Sequence, residues 1–162
     1  MAVDKYANEN VEEGKRCEAL NIAGSKLVTA IAKVNVKADD GADAIYRLFE
    51  VGANLVPVDI KIITDAITGG TDYDLGIYKG SKGEVIDADV LADGLTLATA
   101  TTIDKPLNGL SALTTDTLGK KIYELAGHTE SDKDCGYEIG LKANAAATAA
   151  GTAVVIATFV QG

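Results

Sequence analysis

The sequence predicts a mainly β fold: an antiparallel β-sandwich of jelly-roll type, with one or two short helices and an N-terminal arm. Three observations carry that expectation. Val56, Val58, Ile60 and Ile62 alternate with Pro57, Asp59 and Lys61, the period-two pattern of a strand with one buried face. The stretches "YDLGIYK" (73–79) and "YEIGLKA" (137–143) share the form Tyr-acid-aliphatic-Gly-aliphatic. Strand-like segments also succeed one another without the regular strand and helix alternation of a doubly wound sheet.

The elements follow in chain order. Residues 1–25 are polar, are punctuated by Gly14 and Gly24, and keep neither the strand nor the helix period. They read as an arm preceding one domain, 26–162, with Val11, Cys17, Leu20 and Ile22 as scattered apolar anchors for docking on a neighbouring subunit. "KLVTAIAKVNVKA" is rich in β-branched residues and ends in alternating Val34 and Val36, and "AIYRLFEVG" follows it. Pro57 lacks an amide donor, which places its strand at a sheet edge or places Pro57 near the strand's start. After "YDLGIYK", Lys79–Glu84 has the length and composition of a hairpin-type loop. Gly76 and Gly140 mark a bulge or a close backbone approach in the two matching strands. "DADVLADGLTLATA" (87–100) is compatible with one helical turn, Asp89–Ala92, halted by Gly94.

"TTDTLGKKIYELAGH" (114–128) predicts a helix with Thr115 or Asp116 as cap, Leu118, Ile122 and Leu125 on one face, and Gly127 as its stop. From Gly151 to Val160 the chain is almost continuously apolar, as for a central strand or a strand in an oligomer interface. One face of "LVTAIAKV" or of this terminal strand is a candidate contact surface, beside the arm around "CEALNIAG". The total is six to eight strands.

Composition narrows the function. The 162 residues carry 24 acidic and 15 basic side chains, a net charge of -9, and no basic cluster is long enough to offset phosphate repulsion, so nucleic acid is excluded as a partner. No apolar run nears the roughly 20 residues that cross a bilayer, and no basic-then-apolar leader opens the sequence, so a soluble protein without a membrane partner is expected. Cys17 and Cys135 suggest two free thiols rather than a disulfide framework or a zinc site.

Catalytic and cofactor patterns fail one by one. Any histidine-based triad must use His128, the sole histidine, which follows Gly127 in a loop position. The glycine-containing stretches form neither a phosphate loop nor a dinucleotide fingerprint. Asp72, Asp74, Glu84, Asp87, Asp89 and Asp93 crowd positions 72–93. A calcium loop beginning at Asp87 meets Leu91 and Ala92 at its fifth and sixth places, however, and one beginning at Asp72 meets Gly76 at its fifth. An irregular calcium loop through Asp87, Asp89 and Asp93, or a glycosidase acid pair brought together by folding, stays open as an alternative. Solvated turns and blunted sheet edges account for these acids without either. The expectation is no enzyme, no cofactor and no metal.

Residues 40–162, with "TDYDLGIY", "DADVLADG" and "GKKIYELAG" as their marks, resemble a family of small structural proteins from the virions of tailed bacteriophages, of the capsid decoration or head-stabilising kind. The resemblance implies a sandwich on the outer capsid surface, made in the host bacterial cytoplasm. It also implies the major capsid protein as partner, together with further copies of the chain as a homo-oligomer or as capsid neighbours, and no catalytic residues. A tail- or fibre-associated protein uses similar sandwiches. A carbohydrate-binding module is a third alternative, to be marked by exposed paired tyrosines such as Tyr73 with Tyr137.

Overall fold

The computed structural model describes residues 4–6, 27–38, 40–80, 84–106, 119–129 and 136–161, with 4–6 and 104–106 as backbone. Nine strands and one helical turn occur among them: β1 (Asp4–Tyr6), β2 (Leu27–Val36), β3 (Ile45–Val51), β4 (Leu55–Thr64), β5 (Tyr73–Lys79), β6 (Val85–Leu95), β7 (Thr101–Pro106), α1 (Ile122–Leu125), β8 (Tyr137–Ala143) and β9 (Gly151–Gln161). They build a five-stranded sheet in the order β1-β3-β8-β5-β6 and a four-stranded sheet in the order β2-β9-β4-β7. Every pairing is antiparallel except that of β1 with β3. From β2 onward, each connection crosses between the sheets except the β5–β6 hairpin. That is the strand order of a jelly roll, as the sequence predicts.

Alternating side chains make the core. β2 sends Ala30, Ala32, Val34 and Val36 inward, and β9 sends Ala153, Val155, Ala157 and Phe159. From the other sheet Tyr46, Leu48, Phe49, Leu75, Ile77, Ile139 and Leu141 meet them. Phe49 on β3 and Phe159 on β9 cross the gap edge to face, with ring centroids 6.2 Å apart. The terminal apolar segment is a central strand, because β9 pairs with β2 on one side and β4 on the other.

"YDLGIYK" and "YEIGLKA" become β5 and β8, which lie side by side with Gly76 opposite Gly140. Their likeness has a packing reason, since both are interior strands of one sheet. The close-approach reading of Gly76 holds: a Cβ there would lie 2.2 Å from the Asp87 carbonyl oxygen.

Two expectations are corrected and one is narrowed. Asp89–Ala92 lies within β6 rather than in a helical turn: Ala92 is registered against Leu75 and Asp87 against Ile77, so two residue steps along β5 correspond to five along β6 and the extra residues form a bulge. Gly94 instead takes φ +67° inside β6. Val58 does not join the buried face of β4; the register shifts between Pro57 and Asp59 and leaves Val58 39% exposed. Pro57 lies near the start of β4, which is an interior strand, so the sheet-edge alternative is not realised.

The helix spans Ile122–Leu125, and Thr115, Asp116 and Leu118 lie outside the described residues. Glu124 accepts the Lys121 amide at its start, and Gly127 at φ +69° ends it as expected, with the His128 amide donating to the Tyr123 carbonyl. Ile122, Tyr123 and Leu125 are buried against the sandwich.

A candidate interaction face on the four-stranded sheet

The outward side chains of β2 are Leu27, Thr29, Ile31, Lys33 and Asn35, every second residue of the strand. Register places each beside an outward residue of β9, namely Val160, Thr158, Ile156, Val154 and Thr152. β4 continues three of these rows with Asp59, Lys61 and Ile63. The rows read across the sheet as Leu27 with Val160, Thr29 with Thr158 and Asp59, Ile31 with Ile156 and Lys61, and Lys33 with Val154 and Ile63, aliphatic and threonine side chains with three charges among them. The Thr29 and Thr158 hydroxyls lie 3.4 Å apart.

Leu27 and Ile31 are more than half exposed, and Ile63 is 42% exposed. Of the five large hydrophobic residues exposed among the described residues, these three and Val58 belong to this sheet and only Val85 lies elsewhere. Apolar residues grouped on one face, rather than scattered, mark an interaction surface. The sequence reading offered one face of "LVTAIAKV" or of the terminal strand as contact surfaces; the fold joins the two into one surface. Ile63 and Val58 were missed. Ile63 falls out of phase with Ile60 and Ile62, a signal that it points away from the core.

Val11, Cys17, Leu20 and Ile22 lie outside the described residues. Of the arm, Asp4–Tyr6 is seen as β1, three residues added in parallel to the edge of β3.

The fold keeps much of the acidic segment close together, with Asp72, Asp74 and Asp89 all acting on Asp93 and with Asp87 beside Asp89. Asp74 is buried and accepts hydrogen bonds from the Gly94 amide at 3.1 Å and the Asn144 side-chain amide at 2.6 Å, tying β5 to β6 and to the β8–β9 connection. Asp93 is held above the ordinary carboxylate range chiefly by the charge of Asp74. Asp87 is raised first by desolvation and then by its contact with Asp89. No group of three or more His, Cys, Asp or Glu among the described residues is arranged to hold a metal ion. His128 places Nδ1 2.8 Å from the Tyr137 hydroxyl, a contact that ties the end of α1 to β8. Arg47 and Glu138 form a two-pronged ion pair in the five-stranded sheet, both nearly buried.

The tyrosine platform of the carbohydrate-binding alternative is absent among the described residues. Tyr73 and Tyr137 are turned into the core and are at most 1% exposed, because both lie on the inward phase of their strands.

The described residues thus form a jelly-roll β-sandwich whose four-stranded sheet exposes Leu27, Ile31 and Ile63 on its outer face. No family model matches the chain, and no curated protein sequence does. Among solved structures the chain is similar to one in the capsid of Ralstonia phage GP4, with a TM-score of 0.67, 16% identity, and coverage of 100% of this chain and 99% of that one. A chain of the cyanophage Pam1 capsid asymmetric unit aligns at a TM-score of 0.46 and 11% identity, over 89% of this chain and 99% of that one. At these identities the GP4 likeness is one of fold, and it extends along the whole chain.

Proposed function

We propose that the chain is a non-enzymatic structural protein of a phage virion, seated on the outer surface of the capsid as a decoration or cement protein that stabilises the head. The observation that carries the reading is the end-to-end fold match to a chain of the GP4 capsid. Two features agree with it: the exposed apolar face, and an architecture in which the polar clusters tie strands together rather than converge on a reacting centre. Such a protein gains avidity from many symmetry-related copies, so a modest contact per copy suffices. In this reading the major capsid protein is the partner, and residues 1–25 reach it through Val11, Cys17, Leu20 and Ile22.

Deleting residues 1–22 tests the arm. β1 contributes only three register pairs at a sheet edge, so the body is expected to stay folded, with nearly unchanged thermal unfolding, while occupancy on assembled capsids falls. A truncated protein that does not fold, or one that fills capsids as the full chain does, defeats the docking role. A density map of the virion tests the location. Density on the head surface supports the reading, and density confined to the tail or fibres overturns it.

A further inference from the structure

We propose that the outer face of the four-stranded sheet binds the same face of a second copy of this chain. The contact is an isologous sheet-on-sheet packing centred on Ile31 and Ile156. This stands apart from the capsid reading and concerns the free protein.

Extent is the first argument. β2, β9 and β4 run 10 to 11 residues each. At about 3.3 Å per residue and about 4.8 Å between strands, the four-stranded face covers roughly 600 Å² in plan. Side-chain relief adds to that figure, so it approaches the roughly 800 Å² per partner of a standard specific interface.

Charge is the second. The chain as a whole is strongly acidic, at -9, yet the charged side chains described on this face are Lys33, Lys61 and Asp59. Their sum is one positive charge per copy. Two copies meeting here keep the acidic excess of the chain away from the contact, and their aliphatic side chains are desolvated together.

Shape is the third. An outer sheet face of aliphatic and threonine side chains with few charges is the kind of surface that stacks on another sheet at about 10 Å. A twofold axis in the plane of the face and parallel to β9 brings β9 over β9 and β2 over the β4 of the other copy, so Ile156 meets Ile156, Ile31 meets the aliphatic stem of Lys61, and Lys33 lies over Ile63 rather than over another lysine.

Association at such an interface also has a distinctive salt response. The remaining repulsion between two acidic copies is long-range and is screened by added salt, while the apolar contact is not. Salt therefore tightens the dimer, opposite to what a contact driven by ion pairs does.

The test is sedimentation equilibrium of the purified full chain. A reversible monomer–dimer equilibrium with a dissociation constant of about 1–100 μM is expected, tightening between about 0.05 and 0.5 M sodium chloride. Ile31→Glu and, separately, Ile63→Glu should each weaken it at least about tenfold with circular dichroism and melting temperature retained. Val85→Glu, on the edge of the other sheet, should leave it unchanged. A protein monomeric to about 1 mM at both salt concentrations overturns the inference. So does a dimer indifferent to both isoleucine changes. A monomer whose Ile31→Glu variant loses capsid occupancy also overturns it and assigns the face to the shell.

Discussion

Gly76 and Gly140 stand directly opposite each other across β5 and β8, at the centre of the five-stranded sheet. The bulged segment of β6 lies against Gly76, and the ring of Tyr78 lies over Gly140, where a Cβ would come within 2.7 Å of it. Gly76→Ala drives a methyl into the backbone of Asp87 and Ala88, which cannot move without breaking the β5–β6 pairing. A loss of about 3 kcal/mol in urea unfolding is expected. Gly41→Ala, where an added Cβ meets nothing within 4 Å, should change stability by less than about 0.5 kcal/mol. Equal effects at the two positions would contradict the close approach.

Breaking the Arg47–Glu138 pair should cost more than removing it. Both side chains are only 9% exposed, so Glu138→Ala removes the carboxylate that meets both prongs of a nearly buried guanidinium and is expected to cost about 3 kcal/mol. Arg47→Met combined with Glu138→Leu should be much less damaging than Glu138→Ala alone. A double-mutant cycle by denaturant unfolding measures the coupling, and additive costs would show that the pair does not act as a unit.

Phe159→Ala removes the ring that meets Phe49 between the two sheets. Phe159 is 1% exposed, and a loss of about 3–5 kcal/mol is expected from the cavity left in the centre of the sandwich. A loss below about 1 kcal/mol would mean that the core collapses around the gap.

The pH response follows from Asp93. Its folded-state pKa lies above the ordinary carboxylate value, chiefly through the charge of Asp74, so the folded chain holds that proton more readily than the unfolded chain. The resulting stabilisation is fully present below the unfolded-state pKa and is lost as pH rises through the raised value. At neutral pH the repulsion is unrelieved. Asp93→Asn should therefore raise the melting temperature at pH 7 and reduce the difference between pH 7 and mildly acidic pH. An unchanged pH profile would show that solvent already screens the pair.

The strands written by alternation were readable because burial on one face leaves a period-two record, as in β2 and in the second half of β4. The central position of β9 was readable for a related reason: a strand with neighbours on both sides tolerates aliphatic residues in both phases. Asp89–Ala92 was misread because "DADVLADG" has local capping chemistry, and only the distant partner β5 turns it into strand. Val58 was misread because a bulge changes which face a residue occupies without changing the sequence period. The contact face was visible only as two separate segments, since nothing in either one states that residues 27–36 and 151–161 become neighbours.

That neighbourhood also sets a timetable. β9 supplies the middle of its sheet, holding β2 on one flank and β4 on the other, so during synthesis β2 and β4 wait without the strand that separates them until residues 151–161 leave the ribosome. The four-stranded half of the sandwich is therefore completed only after translation has passed Gly151, by β2–β9 pairings more than 100 residues apart in the chain, and long-range β pairing of this kind closes slowly. Until then the inward aliphatic side chains of β2 and β4 are open to other nascent chains, and β9 is the strand that ends that exposure.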